Sequence, residues 1–421
     1  VILSLALRSL RHRAFTVALT VLSIALSVSL LLGIERLREE ARESFAATIS
    51  GTDLIVGTRT SAVHLLLASV FRIGEPAGGL RWTSYRAIAD QPAVAWTIPL
   101  SLGDSHRGYR VLGTTDAYFA HYGYGDHRKL VVAQGRAFSG PHEAVLGAEV
   151  ARTLGYIIGS ELVLAHGGGD VSFSLHTDQP FRVSGILAAT GTPVDRTVHV
   201  SLDAIDALHA PVRAAAEVDP LAAALHAADA PPAAREADRT ITAVLVGLRS
   251  RAAALSVQRS VNTFAPEPLT AILPGATLAE LWGLVAVAEQ ALRAVSIMAV
   301  VVGLAGMLVA LLTGLAERRR EMAVLRAVGA RPAQIFGLVV GEAACLAVAG
   351  VAAGLAIVQA GLALAQPWLA AHLGLFTGAR WPSTYEWQLM ALVVVSGTLV
   401  GILPAWRITR QSLTDGLTVR A

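Results

Sequence analysis

Four long apolar runs constrain this chain more than any other feature. They extend from Ala14 to Ile34, Ala294 to Ala316, Pro332 to Ala365 and Trp387 to Trp406, and Glu342 is the only charge within them. A run of about 20 apolar residues spans a bilayer core as an α-helix. In hydrocarbon such a segment must satisfy its own backbone hydrogen bonds, which a helix does. Residues 35–285 contain no comparable run. The chain as a whole is 54% hydrophobic and 15% charged, against roughly 25% charged for an average soluble protein. Its mean hydropathy of +0.55 is nevertheless too low for a chain made only of spans. The predicted fold is therefore a membrane protein with four transmembrane α-helices and a large α+β extracytoplasmic domain between helices 1 and 2.

Flanking charge orients the spans, because cytoplasmic loops are enriched in Arg and Lys. Arg8, Arg11 and Arg13 precede the first run. Arg318, Arg319, Arg320, Arg326 and Arg331 lie between the second and third, against Glu317 and Glu321. Arg407, Arg410 and Arg420 follow the fourth, against Asp415. On the opposite side Arg36, Arg38 and Arg42 face Glu35, Glu39, Glu40 and Glu43, and the last loop carries only Arg380 and Glu386. All three basic segments fall on one face, so both termini are expected in the cytoplasm. The first run is longer than a signal-peptide core and leads into a charged helical stretch, which predicts a retained anchor. Three parts result: 1–34, with the first span; 35–285, the outside domain with stalk helices; and 286–421, with three spans and a short cytoplasmic helix over 317–331.

In the outside domain, residues 35–50 are predicted to continue the first span as a polar stalk, and 277–293 to form its counterpart. Alternating apolar residues between turn signals predict strands at 53–57, 109–115, 130–136, 161–165, 172–176, 181–188 and 241–250. Helices are expected at 63–71 and 84–89. Residues 142–155 read as a strand followed by a helix that stops at a glycine, and HGGGD at 166–170 reads as a hairpin connection. Cys345 is the only cysteine, which excludes an internal disulfide framework. A net charge of +3 gives no case for nucleic acid. The only lysine, Lys129, follows Arg128 rather than glycine, so no Walker A loop exists, and there is no H-E-x-x-H motif. HGGG at 166–169 has no accompanying G-x-S-x-G. Enzymatic activity in this chain is not expected.

Residues 317–332 read ERRREMAVLRAVGARP. As a helix they place Met322, Leu325 and Val328 on one face and arginines on the others. Gly329 suits a left-handed cap, and Pro332 the first turn of the next helix. By itself this reads equally well as a basic turn at the lipid headgroups. The string ERRREMAVLRAVGA, however, closely resembles the hallmark of the FtsX/MacB/LolC superfamily of ABC transporter permeases. The opening ALRSLRHRAFTVALTVLSIALSVSLLLGI and the closing PAWRITRQSLTDGL are similar to the ends of that family's permease domains, although Thr409 stands where alanine is usual. FRVSGILAATGTPVDRTVHVSLDAIDALH at 181–209 resembles the late strand and helix of the MacB-type periplasmic core domain.

The resemblance implies a permease subunit in the bacterial inner membrane, dimeric as a homo- or heterodimer, surrounded by membrane lipid. Its ATPase would be a separate chain that binds ATP and Mg, so no cofactor is expected on this one. Glu317, Arg318, Glu321, Met322, Leu325, Arg326 and Gly329 would contact that ATPase. The cargo would be a lipoprotein, peptide, lipid or drug, and a periplasmic or outer-membrane partner fits the same scheme. The alternative is an FtsX-like signalling subunit that activates an outside partner such as a cell-wall hydrolase.

Three further sets of residues invite a role. The pairs Gly350/Gly354 and Gly397/Gly401 have the G-x-x-x-G spacing that permits close helix packing, within the subunit or across a dimer. An intramembrane carboxylate such as Glu342 is a functional candidate, though similar permeases often carry an acid there in a structural role. His121 and His127, with Asp126, are the nearest approach to a metal cluster, but no ligand pair has helical or zinc-finger spacing. A metal is therefore not expected. A stiff stalk is central to this reading, since no Pro or Gly interrupts it before Gly51. Proline substitutions within 36–46 should leave ATPase assembly intact and abolish the outside activity, checked by pairing co-purification with a functional assay.

Overall fold

The computed structural model describes residues 14–48, 50–166, 174–175, 180–208, 239–327, 329–373 and 380–409. Two compact units emerge, one from residues 1–40 and 286–421, the other from 41–285. Among the described residues four helical segments are long and apolar enough to cross a membrane. Helix α1 is Ala14–Thr48, α2 Pro274–Ala327, α3 Pro332–Leu373 and α4 Thr384–Val400, with α5, Ile402–Thr409, following after Gly401.

Two of these bounds correct the expectations. Residues 317–327 are no separate short helix, because α2 runs unbroken for 54 residues from Pro274 to Ala327. No proline stands between Ala294 and Ala327, and the helix continues through Gly303, Gly306 and Gly314 and through the change from apolar to charged sequence. Second, α3 extends beyond Ala365 to Leu373.

The helical unit packs Ile24, Val28 and Leu32 of α1 with Leu304, Met307 and Leu311 of α2, Ala343 and Leu346 of α3, and Met390 and Val393 of α4. The opposite faces are apolar and exposed, for example Leu19, Leu22 and Leu26 of α1 and Met298, Val301 and Val302 of α2. A helix apolar all round is what lipid requires. Trp381, Tyr385 and Trp387 are exposed near one end of α4 and Trp406 near the other, where interfacial aromatics are enriched.

The second unit is a mixed sheet with short helices. Its strands are β1 (Leu54–Thr58), β2 (Val94–His106), β3 (Tyr109–Thr114), β4 (Val132–Gly135), β5 (Glu143–Leu146), β6 (Phe181–Leu187), β7 (Thr197–Ser201), β8 (Ala243–Leu248) and β9 (Leu269–Ile272). The spatial order is β9-β1-β8-β2-β3-β7-β5-β6-β4. The β3–β7 and β5–β6 pairs are parallel and the other neighbours on this path antiparallel. Leu54, Ile55 and Val56 on β1 are each 0% exposed, so this strand is covered on both faces. Full burial of such side chains contributes about 1.5–3 kcal/mol each.

The sequence expectations did not include β2, β7, β9 or the helix Ala254–Asn262, and β2 is the longest of the missed strands. Its first half, 94–100, pairs with β8 and its second half, 101–106, with β3, so one strand joins the two halves of the sheet. Pro99 lies within it, and an internal proline argues against a central strand. Near Gly103 the register shifts between Leu102 and Ser105. The expected strand at 161–165 is two short pieces, Glu161–Leu162 and Ala165–His166. Ala165 and His166 pair with Leu175 and Ser174, while the connection at 167–173 and the Ala- and Pro-rich stretch at 209–238 lie outside the described residues.

The core of this unit holds a neutral histidine. His199 on β7 is 0% exposed, and its Nδ1 donates to the Val145 carbonyl at 3.2 Å. Burial, reinforced by the positive charge of Arg72, pushes its pKa down to about 3 against the opposing effect of that hydrogen bond. Burial also lowers His106. Above the unfolded value of about 6.5 both states are neutral and nothing changes. Below it the unfolded chain takes up a proton that the folded chain refuses, so stability falls toward pH 3. Glu149 and Asp195, raised by burial, act in the opposite sense, but nearer the ordinary carboxylate range. Denaturant unfolding followed by tryptophan fluorescence should show lower stability at pH 5 than at pH 7, with a shallower difference in His199→Asn.

Candidate functional site

The site is built where α1 and α2 leave their apolar stretches. In the helical unit, Arg36 of α1 meets Glu386 at the start of α4. Its Nε donates to Oε1 at 2.9 Å and its Nη2 to Oε2 at 3.1 Å, and both side chains are only 1% exposed. Such a fork is the strongest geometry open to an arginine–carboxylate pair. Glu386 is also the third helical residue in a capping box: Ser383 Oγ accepts its backbone N–H at 3.3 Å, and its Oε2 accepts the Ser383 N–H at 3.1 Å.

Around this pair the contacts are more open. Arg38 meets Glu35 at 2.7 Å and Glu289 of α2 at 3.4 Å. Arg293 of α2 meets the same Glu35 at 3.3 Å. Arg380 meets Glu39 at 2.7 Å, while its backbone carbonyl accepts from Gln359 of α3 at 2.9 Å. These charges form a belt joining α1, α2 and α4, to which α3 is tied by Gln359. Their pairing joins positions as much as 350 residues apart, which no local pattern records.

In the α/β unit the ends of α1 and α2 sit in an aromatic socket. Phe45 stacks on Phe71 at 4.2 Å and meets the edge of Trp282 at 5.6 Å. Arg42 lies 5.2 Å over the Trp282 ring. Tyr122 Oη donates to the carbonyl of Thr48, the last residue of α1, at 2.9 Å, and Gly125 N–H donates to Ala47 at 2.7 Å. Tyr118 stacks on Tyr122 at 4.8 Å, and burial pushes the Tyr118 hydroxyl up to about 12. Carbonyls at a helix end have no intrahelical partner, and here the domain supplies it.

The glycine pairs are packed within this chain. A Cβ on Gly350 would stand 2.5 Å from Ile24 Cγ2, and one on Gly354 would stand 2.8 Å from the Ala25 carbonyl and 2.9 Å from Val28 Cβ, so both are pressed against α1. A Cβ on Gly397 would meet Ala347 at 2.8 Å, and one on Gly401 would overlap the Ala343 side chain, both on α3. Gly303 of α2 is similarly tight against Ser27. Ser27 Oγ lies 2.9 Å from the carbonyls of both Ser23 and Ala299, so its proton is shared between its own helix and α2. This contact had no signature in the sequence. Glu342 is 7% exposed on α3 and takes part in an interaction within the structure.

In the 317–331 segment the backbone of 317–327 is helical as the end of α2, but the side chains of Glu317, Arg318, Glu321, Met322 and Leu325 lie outside the described residues. Arg326 is half-buried. Gly329 has φ +102°, in the region that favours glycine, and its N–H donates to the Arg326 carbonyl at 3.0 Å. His121 and His127 do not converge on a shared site: His121 stacks on Trp96 at 5.3 Å, and His127 donates its backbone N–H to Ser50 Oγ. Among the described residues no three His, Cys, Asp or Glu side chains are grouped to hold a metal.

The chain thus combines a unit of long apolar helices with an α/β unit, and α1 and α2 contribute residues to both. Two family models match the chain: the MacB-like periplasmic core domain over residues 17–263 and the FtsX-like permease C-terminal domain over 293–413. The chain belongs to the MacB/FtsX type of ABC transporter permease. Permeases of this family work with an ABC ATPase and are not themselves the catalytic component.

The α/β part is similar to the periplasmic region of MacB from Actinobacillus actinomycetemcomitans, with 11% identity over 56% of this chain and 97% of that one, at a TM-score of 0.34. It is also similar to the extracellular domain of the ABC-type transporter YknZ from Gram-positive bacteria, with 14% identity over 52% and 98% of the two chains and a TM-score of 0.31. No curated protein matches the chain.

Two substitutions test the packing. Gly354→Val forces a branched side chain against the Ala25 carbonyl and should destabilise the helical unit by about 1–3 kcal/mol, the usual range for overpacking. Glu386→Ala strands a buried guanidinium, for which about 3–5 kcal/mol is typical. Thermal unfolding in detergent should rank Glu386→Ala below Gly354→Val and both below the parent chain.

Proposed function

We propose that this chain is the permease subunit of an ABC transporter in which a separate ATPase, carrying the ATP and Mg, drives movement of the periplasmic domain to export or extract a lipoprotein, peptide, lipid or drug. The chain would reside in the bacterial inner membrane with both termini in the cytoplasm and 35–285 in the periplasm. It would work as a homo- or heterodimer of permeases in contact with membrane lipid. A periplasmic or outer-membrane partner would receive the cargo.

One observation carries the reading. Helix α1 spans 35 residues and α2 54, and each holds both an apolar membrane-length stretch and an end seated in the α/β unit. At 1.5 Å per residue these are rods of about 50 and 80 Å. Continuous backbone hydrogen bonding makes such a rod stiff along its axis, so displacement at one end is delivered to the other. The far end of α2 carries Glu317, Arg318, Glu321, Met322, Leu325 and Arg326, and Gly329 follows it. In this role Met322 and Leu325 fill a groove on the ATPase while the charges pair at the rim. The signalling alternative uses the same rods. An α/β unit of this size, with its mixed sheet, favours handling of cargo.

Mass spectrometry of the complex purified from gently solubilised native membranes should find a stoichiometric ABC ATPase. Leu325→Asp, which puts a charge in the proposed groove, should lose it while the chain stays folded. Absence of any ATPase, under conditions that hold a known permease complex together, would sink the transporter reading. An outside hydrolase in place of cargo would favour the signalling one.

A further inference from the structure

The ion-pair belt contains two kinds of contact. The Arg36–Glu386 fork is dry, with 1% exposure on both sides, and its carboxylate is fastened to the helix it caps. Arg36 therefore grips the N-terminal end of α4 itself rather than a free side chain. The contacts between α1 and α2 differ. Arg38 is 24% exposed and divides itself between Glu35 and Glu289, while Glu35 is shared with Arg293, which is 42% exposed. Their carboxylates, Glu35 at 12% and Glu289 at 17%, are more open than Glu386 at 1%, and shared, partly exposed pairs are held more weakly than a dry fork because solvent competes for each charge. Separating a buried, bidentate pair leaves an unpaired charge out of water. Buried pairs also rarely add net stability over apolar residues of the same volume; their best-attested use is to specify register.

We infer that Arg36 and Glu386 form a fixed pin between α1 and α4, and that the Glu35–Arg38–Glu289–Arg293 network is the sliding contact that re-pairs when α1 and α2 shift. Arg36 and Glu386 are positioning residues: they hold α1 in register so that movement of the membrane helices reaches the stalk. This rests on the ATP-driven reading above and adds to it the place where the movement is transferred. The pairing chemistry supports the division of labour. Arginine matches a carboxylate best with two parallel N–H bonds; Arg36 makes that fork on Glu386, whereas Arg38 and Arg293 each reach Glu35 through a single nitrogen.

The test uses the full chain assembled with its ATPase and follows hydrogen–deuterium exchange of residues 35–48 and 274–293 with and without trapped ATP. Two variants separate the pin from the cap. Glu386→Gln keeps a residue type that serves in capping boxes and removes the charge opposite Arg36. Ser383→Ala removes the capping hydroxyl and keeps the ion pair. The expected result is an ATP-dependent change in stalk exchange in the parent chain and in Ser383→Ala, and its loss in Glu386→Gln although ATPase still co-purifies. Retention of the change in Glu386→Gln overturns the pin and leaves the transporter reading standing. Equal loss in Ser383→Ala also overturns it, because the cap would then be what matters. No ATP-dependent change in the parent chain overturns the ATP-driven reading, and the pin with it. If Glu386→Gln does not assemble, the paired change R36M/E386M removes both charges together and is judged by the same outcomes.

Discussion

Hydrocarbon offers no partner to a backbone amide, and most of this structure follows from that constraint. Each segment crossing such a medium must close its own hydrogen bonds, so it is helical from end to end. Once closed, the ladder has no reason to stop where the apolar sequence stops. Helix α1 passes from Ile34 into the charged run that begins at Glu35 and ends only at Thr48, and α2 continues through the ERRRE stretch to Ala327. The same hydrogen bonds that make these helices tolerable in lipid make them stiff outside it.

Stiffness matters only if the ends are held, and the two units hold α1 by different physics. In the α/β unit the grip is aromatic and backbone-directed: Phe45 against Phe71 and Trp282, and Tyr122 on the terminal Thr48 carbonyl. In the helical unit it is ionic, through the Arg36–Glu386 fork, and steric, through glycines that let α3 approach Ile24, Ala25 and Val28. Steric contact without side chains brings backbones close, which matters in lipid because burial of apolar surface there gives no driving force between helices.

Much of this organisation was legible in the residues. Run length depends only on local composition, so the four long apolar helices could be read directly. So could Gly329 as a left-handed stop and the strand–helix unit ending at Gly155, because a positive φ demands glycine at one position. Strand β2 could not, since Pro99 masks a strand whose pairing lies with β8 and β3 on either side of it. Nor could the end of α2, where an amphipathic pattern suggested a separate helix but no proline stands between Ala294 and Ala327 and the helix runs on.

The sequence by itself determined that this chain holds runs long and apolar enough to cross a membrane, and which family it resembles, because hydropathy and motif are properties of consecutive residues. Tertiary structure alone decided which charge meets which. Arg36 stands among three arginines and four glutamates in nine residues, and nothing local distinguishes it from Arg38 or Arg42. Only the packing of α1 against α4 buries Arg36 and delivers Glu386 to it, while Arg38 stays partly in water with two partners. Pairing energy depends on distance and on exclusion of water, and both are set by neighbours remote in the chain.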